Sequence, residues 1–332
     1  MTTLTVPLGT TIAARKISAA VTEGLQSSSK FLPAWLFYDE IGSRLFDRIT
    51  ELPEYYLTRT ERAILATYAA EIVALAAESH ALQIIELGAG SCEKTGILLS
   101  AAADRQDTVL YEPIDVSPAP LEEARERLER EIPGVLVSPR VQDYSRSFAL
   151  DPPLSGERRL VLYIGSSVGN FDPAEAHALL AEIRAALAPG DTLLLGVDLV
   201  KDPALLHAAY NDEAGVTEAF NRNLLHRLNR ELGANFKPEL FAHRALWNPA
   251  HSRMEMHLES LLRQIITIPG SSAEEDLQIE FQRGETIHTE NSYKYRPGEP
   301  ESMLASVGFT PQRTWTDERG WFAVCLARAA CL

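Results

Sequence analysis

Short apolar runs alternate with amphipathic stretches through the middle of this chain. A short apolar run bounded by turn residues predicts a buried strand, and an apolar residue at every third or fourth position predicts a helix. Strands are predicted at residues 82–87, 108–114, 135–137, 160–164 and 192–199, with helices between them at residues 93–103, 121–132 and 173–187. Because strands alternate with helices, the pattern predicts a parallel, doubly wound α/β sheet.

The pattern changes on both sides of this central region. Residues 1–61 carry several aromatic residues and prolines and are predicted to be helical or irregular. After the fifth strand, a helical pattern over residues 204–233 passes into alternating segments at 243–247 and 254–268, which predicts an inserted α+β region. The end of the chain is predicted to return to the sheet with one helix and two strands, at residues 300–307, 312–316 and 321–328.

These patterns divide the 332 residues into two predicted domains. Residues 62–200 and 293–332 form a sheet domain, and residues 1–61 and 201–292 form a second domain. A chain of this length suits one large domain or two domains that are closely interleaved.

The charge of the chain narrows the classes of partner. The chain has 46 Asp and Glu residues against 31 Lys and Arg residues, which gives a formal net charge of −15 at pH 7. Binding to nucleic acid or to anionic lipid requires clustered Lys and Arg residues that neutralise phosphates. We therefore expect neither nucleic acid nor a membrane surface as the main partner.

The cysteines and the apolar segments predict a cytoplasmic protein. Cys92, Cys325 and Cys331 are scattered without C-x-x-C spacing, so neither a disulfide framework nor a metal site is expected. The amino-terminal residues have no unbroken apolar run of the kind found in signal peptides. The most apolar internal stretch, residues 193–200, is interrupted by Asp198 and is too short to span a bilayer.

A glycine-containing turn follows the first predicted strand. Residues 86–95 have the sequence ELGAGSCEKT, in which Gly88 and Gly90 allow either a tight strand–helix turn or the close approach of a ligand. Glu93 stands where a dinucleotide fingerprint has its third glycine. This difference disfavours a pyrophosphate and favours a neutral or cationic nucleoside cofactor.

Polar residues follow three further strands at the same edge of the predicted sheet. Asp115 ends the second strand, where its carboxylate either accepts hydrogen bonds from ribose hydroxyls or stabilises a turn. Asp143 and Tyr144 follow the third strand and either hold an adenine ring or belong to a solvated loop. The sequence GSSVGN follows the fourth strand, and its Asn170 offers both a hydrogen-bond donor and an acceptor.

Several longer motifs resemble those of the histidine-specific methyltransferase family, in the order that the family has them. The motifs are LFYDEIGSRLFD (36–47), LPEYYLTR (52–59), ELGAGSCEKT (86–95), YNDEAGVTEAFN (210–221), MEM (254–256) and TENSYKY (289–295). The resemblance implies a class I, Rossmann-like methyltransferase sheet with an inserted α+β substrate-binding domain. It further implies trimethylation of the α-amine of L-histidine to hercynine, the first step of ergothioneine biosynthesis, with S-adenosyl-L-methionine (SAM) as cofactor.

The resemblance also implies roles for individual residues. The residues implied in SAM binding are Tyr38, Gly88, Gly90, Lys94, Asp115, Asp143 and Tyr144. The residues implied in substrate binding are Tyr55, Gly165, Asn170, Tyr210, Met256, Glu290 and Ser292. Within these sets, the implied catalytic residues are Tyr38, Tyr55 and Asn170.

In this interpretation Glu290 and Ser292 hydrogen-bond the substrate imidazole, and Met256 packs beside it. A carboxylate accepts strongly from an imidazole N–H and fixes the tautomer of the ring. Phenylalanine would leave the carboxylate without a partner, and tryptophan would need more volume. Recognition of histidine is therefore expected to depend on this pair.

Two alternatives remain open. The acceptor could be another free amino acid such as tryptophan. The sheet could also belong to a dehydrogenase or a non-catalytic nucleotide-binding module, although Glu93 disfavours the dehydrogenase. For the methyltransferase that the motifs imply, we expect a monomer that binds a small molecule, L-histidine.

Overall fold

The computed structural model describes residues 12–90, 92–116, 118–142, 150, 156–270 and 275–330. Its α-helices are α1 Ile12–Gln26, α2 Glu40–Thr50, α3 Tyr56–Ala77, α4 Thr95–Ala103, α5 Pro118–Glu131, α6 Pro173–Ala186, α7 Pro203–Tyr210, α8 Val216–Leu232 and α9 Glu299–Ser306. Its strands are β1 Ala81–Leu87, β2 Val109–Asp115, β3 Val135–Val137, β4 Arg140–Val141, β5 Glu157–Tyr163, β6 Thr192–Asp198, β7 Phe241–Asn248, β8 Arg253–Ser260, β9 Gln264–Ile268, β10 Leu277–Phe281, β11 Thr286–Tyr293, β12 Phe309–Thr316 and β13 Phe322–Ala329. Among the helices of the described ranges, none has the length and hydropathy that a membrane span requires.

The chain divides into two compact units. The insert unit comprises Met1–Tyr56 and Asp202–Ser292, and the sheet unit comprises Leu57–Lys201 and Tyr293–Leu332. The assignment of substrate binding to one of two domains stays a prediction.

The sheet unit contains a mixed sheet with the strand order β12-β13-β6-β5-β1-β2-β3, in which β4 also pairs with β2. Strands β1, β2, β3, β5 and β6 are parallel, and β13 runs antiparallel to β6 and β12. The predicted doubly wound sheet with a closing pair of strands is therefore confirmed. The strand order reverses beside β1, and ligands of such sheets bind at the carboxyl ends of the strands next to a reversal.

Helices cover both faces of this sheet. On one face Ile84 of β1 packs with residues of α3, α4 and α5, and on the other Ile85 packs with residues of α6 and α9. Every residue of β6 is buried. Strands buried on both faces need a nearly continuous apolar run, which is why the sequence identified β6 easily.

The insert unit contains the sheets β11-β8-β7 and β10-β9 together with α1, α2, α7 and α8. Strands β7 and β8 are antiparallel, and Ala245 pairs with Met256. Buried positions alternate with half-buried ones along the whole of β8, as expected for a strand with one face on an apolar core. The predicted alternating segments correspond to β7, β8 and β9.

Some local features differ from the expectations. The helical pattern over residues 204–233 is broken between α7 and α8, where Gly215 adopts a left-handed conformation before α8 begins. Strand β12 begins at Phe309 rather than at residue 312, because a register shift after Pro311 lets the edge strand pass the proline. The short strand β4 lies between β3 and the predicted loop at Asp143. Strand β10 has no predicted counterpart.

The start of α6 generates a prediction about stability. Asp172 accepts hydrogen bonds from the amides of Ala174 (3.0 Å) and Glu175 (2.9 Å), and the Glu175 carboxylate accepts from the Asp172 amide (3.0 Å). We expect Asp172→Ala to lower the free energy of unfolding by about 1 kcal/mol, because helix amides lose their acceptor. Urea denaturation measures the change. Glu182→Ala, on the exposed side of the same helix, is the control, and equal stability of both variants would contradict the prediction.

Candidate active site

The turn between β1 and α4 brings three of the residues predicted to bind cofactor together. Gly88 and Gly90 have positive φ angles of 68° and 52°, which favour glycine. The Gly88 amide donates to the carbonyl of Ile114 (2.8 Å), and the Gly90 amide donates to Oδ2 of Asp115 (3.1 Å). Apart from its chain neighbours, no described residue has a heavy atom within 4 Å of a Cβ atom at Gly90, so the described part of the turn has open space at this point.

A buried carboxylate supports this turn from within the sheet. Glu86 of β1 accepts hydrogen bonds from Thr95 Oγ1 (2.6 Å) and from the hydroxyl of Tyr111. Burial raises the pKa of Glu86 to about 7, against the opposite effect of these two hydrogen bonds. Burial also raises the pKa of the Cys92 thiol well above its usual range, so Cys92 is an inert residue of the turn.

Glu61 of α3 is a second buried carboxylate, which the sequence analysis missed. It is fully buried and forms an ion pair with Lys94. Its oxygens also accept from the amide of Gly165, at 2.9 and 3.0 Å. A Cβ atom at Gly196 would lie 2.1 Å from Oε1 of Glu61, so the glycine of β6 makes room for the carboxylate. A glycine inside an apolar strand is the sequence signal for such a close approach.

The segment after β5 differs from one expectation. The family resemblance implies Gly165 in substrate binding, whereas its amide donates to Glu61. Ser166 has a φ of 61°, and a short 3₁₀ helix, Ser167–Asn170, places half-buried Asn170 at its end. This segment follows the strand next to β1, so it lies at the carboxyl edge of the sheet, as predicted.

A buried group of charged residues lies at the end of β6, and the sequence analysis did not predict this group either. Asp198 forms ion pairs with Lys201 (2.5 Å) and Lys294 (3.0 Å). Burial lowers the pKa of Lys201 to about 8. The Asp198 amide donates to Ser166 Oγ (2.9 Å), which ties the ends of β5 and β6 together.

The insert unit brings together residues predicted to bind substrate. The Tyr210 hydroxyl donates to Oγ of Ser292 at 2.7 Å, and both side chains are buried. Met256 is buried on β8, and Glu290 is half-buried on β11. The alternation of buried positions along β11 shifts between Thr289 and Ser292, a change that the sequence pattern did not indicate.

An aromatic cluster in the same unit contains the other predicted tyrosines. The ring of Phe46 lies 5.9 Å from the ring of Tyr38 and 6.3 Å from that of Tyr55, both in edge-on contact. Phe220 of α8 lies 6.1 Å from Tyr38. Tyr38 and Tyr55 therefore belong to one cluster, although they come from segments on either side of α2.

Within the described residues, one group has side chains close enough to hold a metal ion. One ligand atom from each of Glu255, His257 and His288 lies within 4.8 Å of the others. Arg253 lies 2.6 Å from the Glu255 carboxylate, and Asn248 donates to the same oxygen (2.9 Å). Although burial opposes its charge, these bonds lower the pKa of Glu255 to about 2. The arginine already neutralises this carboxylate, so we assign the group no metal.

The predicted residues thus fall into two groups. The sheet unit holds Gly88, Gly90, Lys94, Asp115, Gly165 and Asn170, and the insert unit holds Tyr38, Tyr55, Tyr210, Met256, Glu290 and Ser292. Asp143 and Tyr144 lie outside the described residues.

Comparison with known proteins identifies the family. A family model described as a histidine-specific, SAM-dependent methyltransferase matches residues 17–329. The chain belongs to this family. It is similar to the histidine N-alpha-methyltransferase of Mycolicibacterium smegmatis, with 42% identity over 95% of each chain. The enzyme of the same name from Mycobacterium tuberculosis is 42% identical over 92% of this chain and 93% of its own.

A third relative, ergothioneine biosynthesis protein 1 of Neurospora crassa, is 30% identical over 86% of this chain and 32% of that protein. The family resemblance inferred from the motifs is confirmed. The sheet unit also fits the SAM cofactor of this methyltransferase family: the turn has open space at Gly90, a carboxylate at Asp115 and an ammonium group at Lys94.

The raised pKa of Glu86 generates a prediction about pH. The folded protein holds this proton up to about pH 7, whereas the unfolded chain releases it near pH 4.5. Its contribution to stability is therefore complete below pH 4.5 and is lost as the pH rises through 7, a change of about 3 kcal/mol. Glu86→Gln removes this contribution.

The measurement is urea denaturation of wild type and Glu86→Gln at several pH values. As the pH rises, the free energy of unfolding of the wild type should fall relative to that of Glu86→Gln. A difference that stays constant with pH would contradict the assignment.

Proposed function

We propose that this methyltransferase trimethylates the α-amine of L-histidine to hercynine, the first step of ergothioneine biosynthesis. The names of the mycobacterial and fungal relatives support the substrate and the pathway. The structural observation that carries the proposal is the buried Tyr210–Ser292 hydrogen bond on the strand that also carries Glu290. This hydrogen bond orients the Ser292 hydroxyl, which lies two residues along β11 from the Glu290 carboxylate; a polar heteroaromatic side chain can bind to both kinds of group.

Four of the proposed cofactor contacts, Gly88, Gly90, Lys94 and Asp115, lie in the described part of the sheet unit. Asp115 accepts hydrogen bonds from ribose hydroxyls, and Gly88 and Gly90 allow the nucleoside close to the backbone. Lys94 pairs with the cofactor carboxylate while Glu61 holds its ammonium group. The family resemblance adds Tyr38, Asp143 and Tyr144 to this set.

The proposed substrate contacts follow the same logic. Glu290 and Ser292 hydrogen-bond the imidazole, and Met256 packs against the ring. The family resemblance assigns the α-amine and carboxylate of the substrate to Tyr55, Asn170 and Tyr210. A panel of free amino acids, including tryptophan, tests whether histidine is the acceptor, because only a side chain with a suitable N–H satisfies Glu290.

The chemistry requires little more of the protein than alignment. SAM supplies an electrophilic methyl group on a sulfonium. The α-amine must be unprotonated for each transfer, and the polar groups of Tyr55 and Asn170 orient its lone pair. The aromatic faces of Tyr38 and Tyr55 then stabilise the trimethylammonium product by cation–π attraction.

We also propose that the enzyme is a cytoplasmic monomer, in keeping with its acidic, cysteine-poor composition.

The first test concerns substrate recognition. Glu290→Gln replaces a charged acceptor with a neutral one, so we expect the KM for histidine to rise about 10- to 100-fold. The affinity for S-adenosylhomocysteine should change less than about two-fold, because Glu290 has no proposed cofactor contact. Steady-state kinetics and calorimetry measure these values.

Glu259→Gln is the control, since this residue of β8 pairs with Arg244 at 2.7 Å. Its kinetics should match those of the wild type. An unchanged KM in Glu290→Gln would refute the proposed imidazole contact.

The second test concerns the cofactor carboxylate. We expect Lys94→Met to weaken S-adenosylhomocysteine about 10-fold, because an ion pair is lost. The affinity for 5′-methylthioadenosine should fall by less, since that nucleoside has no carboxylate and is affected only through the loss of the partner of Glu61. Calorimetry with both ligands separates these outcomes, and Lys237→Met, at an exposed position, is the control. Equal weakening of both ligands would contradict the role of Lys94.

A further inference from the structure

A circuit of buried polar residues runs through the interior of the insert unit; hydrogen bonds form all of it except the step from Thr289 to Ser292, which is the backbone of β11. Its members are Tyr210, His243, Asn221, Thr289 and Ser292, and each residue is less than a tenth exposed. They come from α7, β7, α8 and β11, so the circuit joins two helices and two strands of this unit. The sequence motifs include Asn221, but no role was assigned to it.

Asn221 uses all the hydrogen-bonding capacity of its two amide protons. Nδ2 donates to the carbonyl of His257 (3.1 Å) and to Nδ1 of His243 (2.9 Å). Oδ1 accepts from the hydroxyl of Thr289 (2.8 Å). Because a carbonyl oxygen only accepts, the His257 carbonyl determines which way the amide faces.

The ring of His243 transmits this orientation to Tyr210. Its Nε2 lies 2.8 Å from the Tyr210 carbonyl, so Nε2 carries the proton. Nδ1 is then a lone pair that accepts from Asn221. Burial lowers the pKa of His243, which maintains the neutral ring that this arrangement needs.

The other arm of the circuit reaches the proposed imidazole contacts. Thr289 immediately precedes Glu290 on β11, and its Oγ1 also lies 2.9 Å from the carbonyl of Met256. The Tyr210 hydroxyl closes the circuit on Ser292 at 2.7 Å. One amide group thus connects to the segments that carry all four of these proposed substrate contacts.

We propose that Asn221 is a positioning residue for the amino acid pocket: it holds α7, β8 and β11 in the arrangement that binds histidine without touching the substrate. This inference rests on the proposed function, which assigns the substrate contacts. Flipping the Asn221 amide would place its oxygen against the His257 carbonyl, where two acceptors would face each other without a proton. The buried network therefore favours one orientation of Asn221 and of the groups bonded to it.

Asn221→Leu tests the inference, with Asn223→Leu as the matched control. Asn223 lies on the same helix, is equally buried and donates to Asp39 (2.9 Å), outside the circuit. Calorimetry should show that Asn221→Leu weakens histidine about 10-fold or more, measured with S-adenosylhomocysteine bound. Affinity for S-adenosylhomocysteine itself should change less than about two-fold. The control should retain both affinities, whatever its melting temperature.

Thr289→Val is a milder second variant, because it removes one hydroxyl and keeps the shape of the side chain. It should weaken histidine in the same selective way, and it decides the question if Asn221→Leu does not fold. Histidine affinity within about three-fold of wild type in these variants, or an equal loss of cofactor affinity, would overturn the inference. Glu290→Gln separates a failure of the positioning role of Asn221 from a failure of the proposed function. If this variant too leaves histidine binding unchanged, the proposed substrate site itself is wrong.

Discussion

The carboxylate of Glu61 is fully buried, and a carboxylate that is removed from water has to be paired. Its partners come from different loops at the sheet edge: Lys94 precedes α4, and the amide of Gly165 follows β5. The carboxylate fits because β6 has a glycine, Gly196, where any side chain would overlap it. One buried charge therefore sets the relative position of the loops after β1 and β5, beside which the strand order reverses and ligands bind.

In the insert unit, neutral groups rather than charges connect the distant segments through buried hydrogen bonds. Asn221 satisfies both of its amide protons within a buried network, so no charge has to be removed from water. Tyr210 and Ser292, which we propose contact the substrate, are held by the same network through uncharged hydrogen bonds. Glu290 is a half-buried carboxylate on β11 of the same unit, and we propose that an N–H-bearing ligand stabilises it.

The sheet could be predicted because its signal is local. Apolar runs such as β6 are buried on both faces, and they are separated by helices and turn residues that the sequence shows directly. The capped start of α6 at Asp172 is local in the same sense. Glu61 and Asn221 could not be assigned, because their partners lie far away in sequence: Gly165 is 104 positions from Glu61, and Thr289 is 68 positions from Asn221.

The sequence alone determined the fold class and, through motifs spread from residue 36 to residue 295, the family. These properties depend on short-range periodicity and on residue types, which do not need coordinates. Only the tertiary structure decided which group each buried polar atom meets. It showed that the Gly165 amide donates a hydrogen bond to Glu61 and that the Tyr210 hydroxyl donates one to Ser292. Burial makes a polar atom costly without a partner, and the packing of distant segments determines which partner it meets.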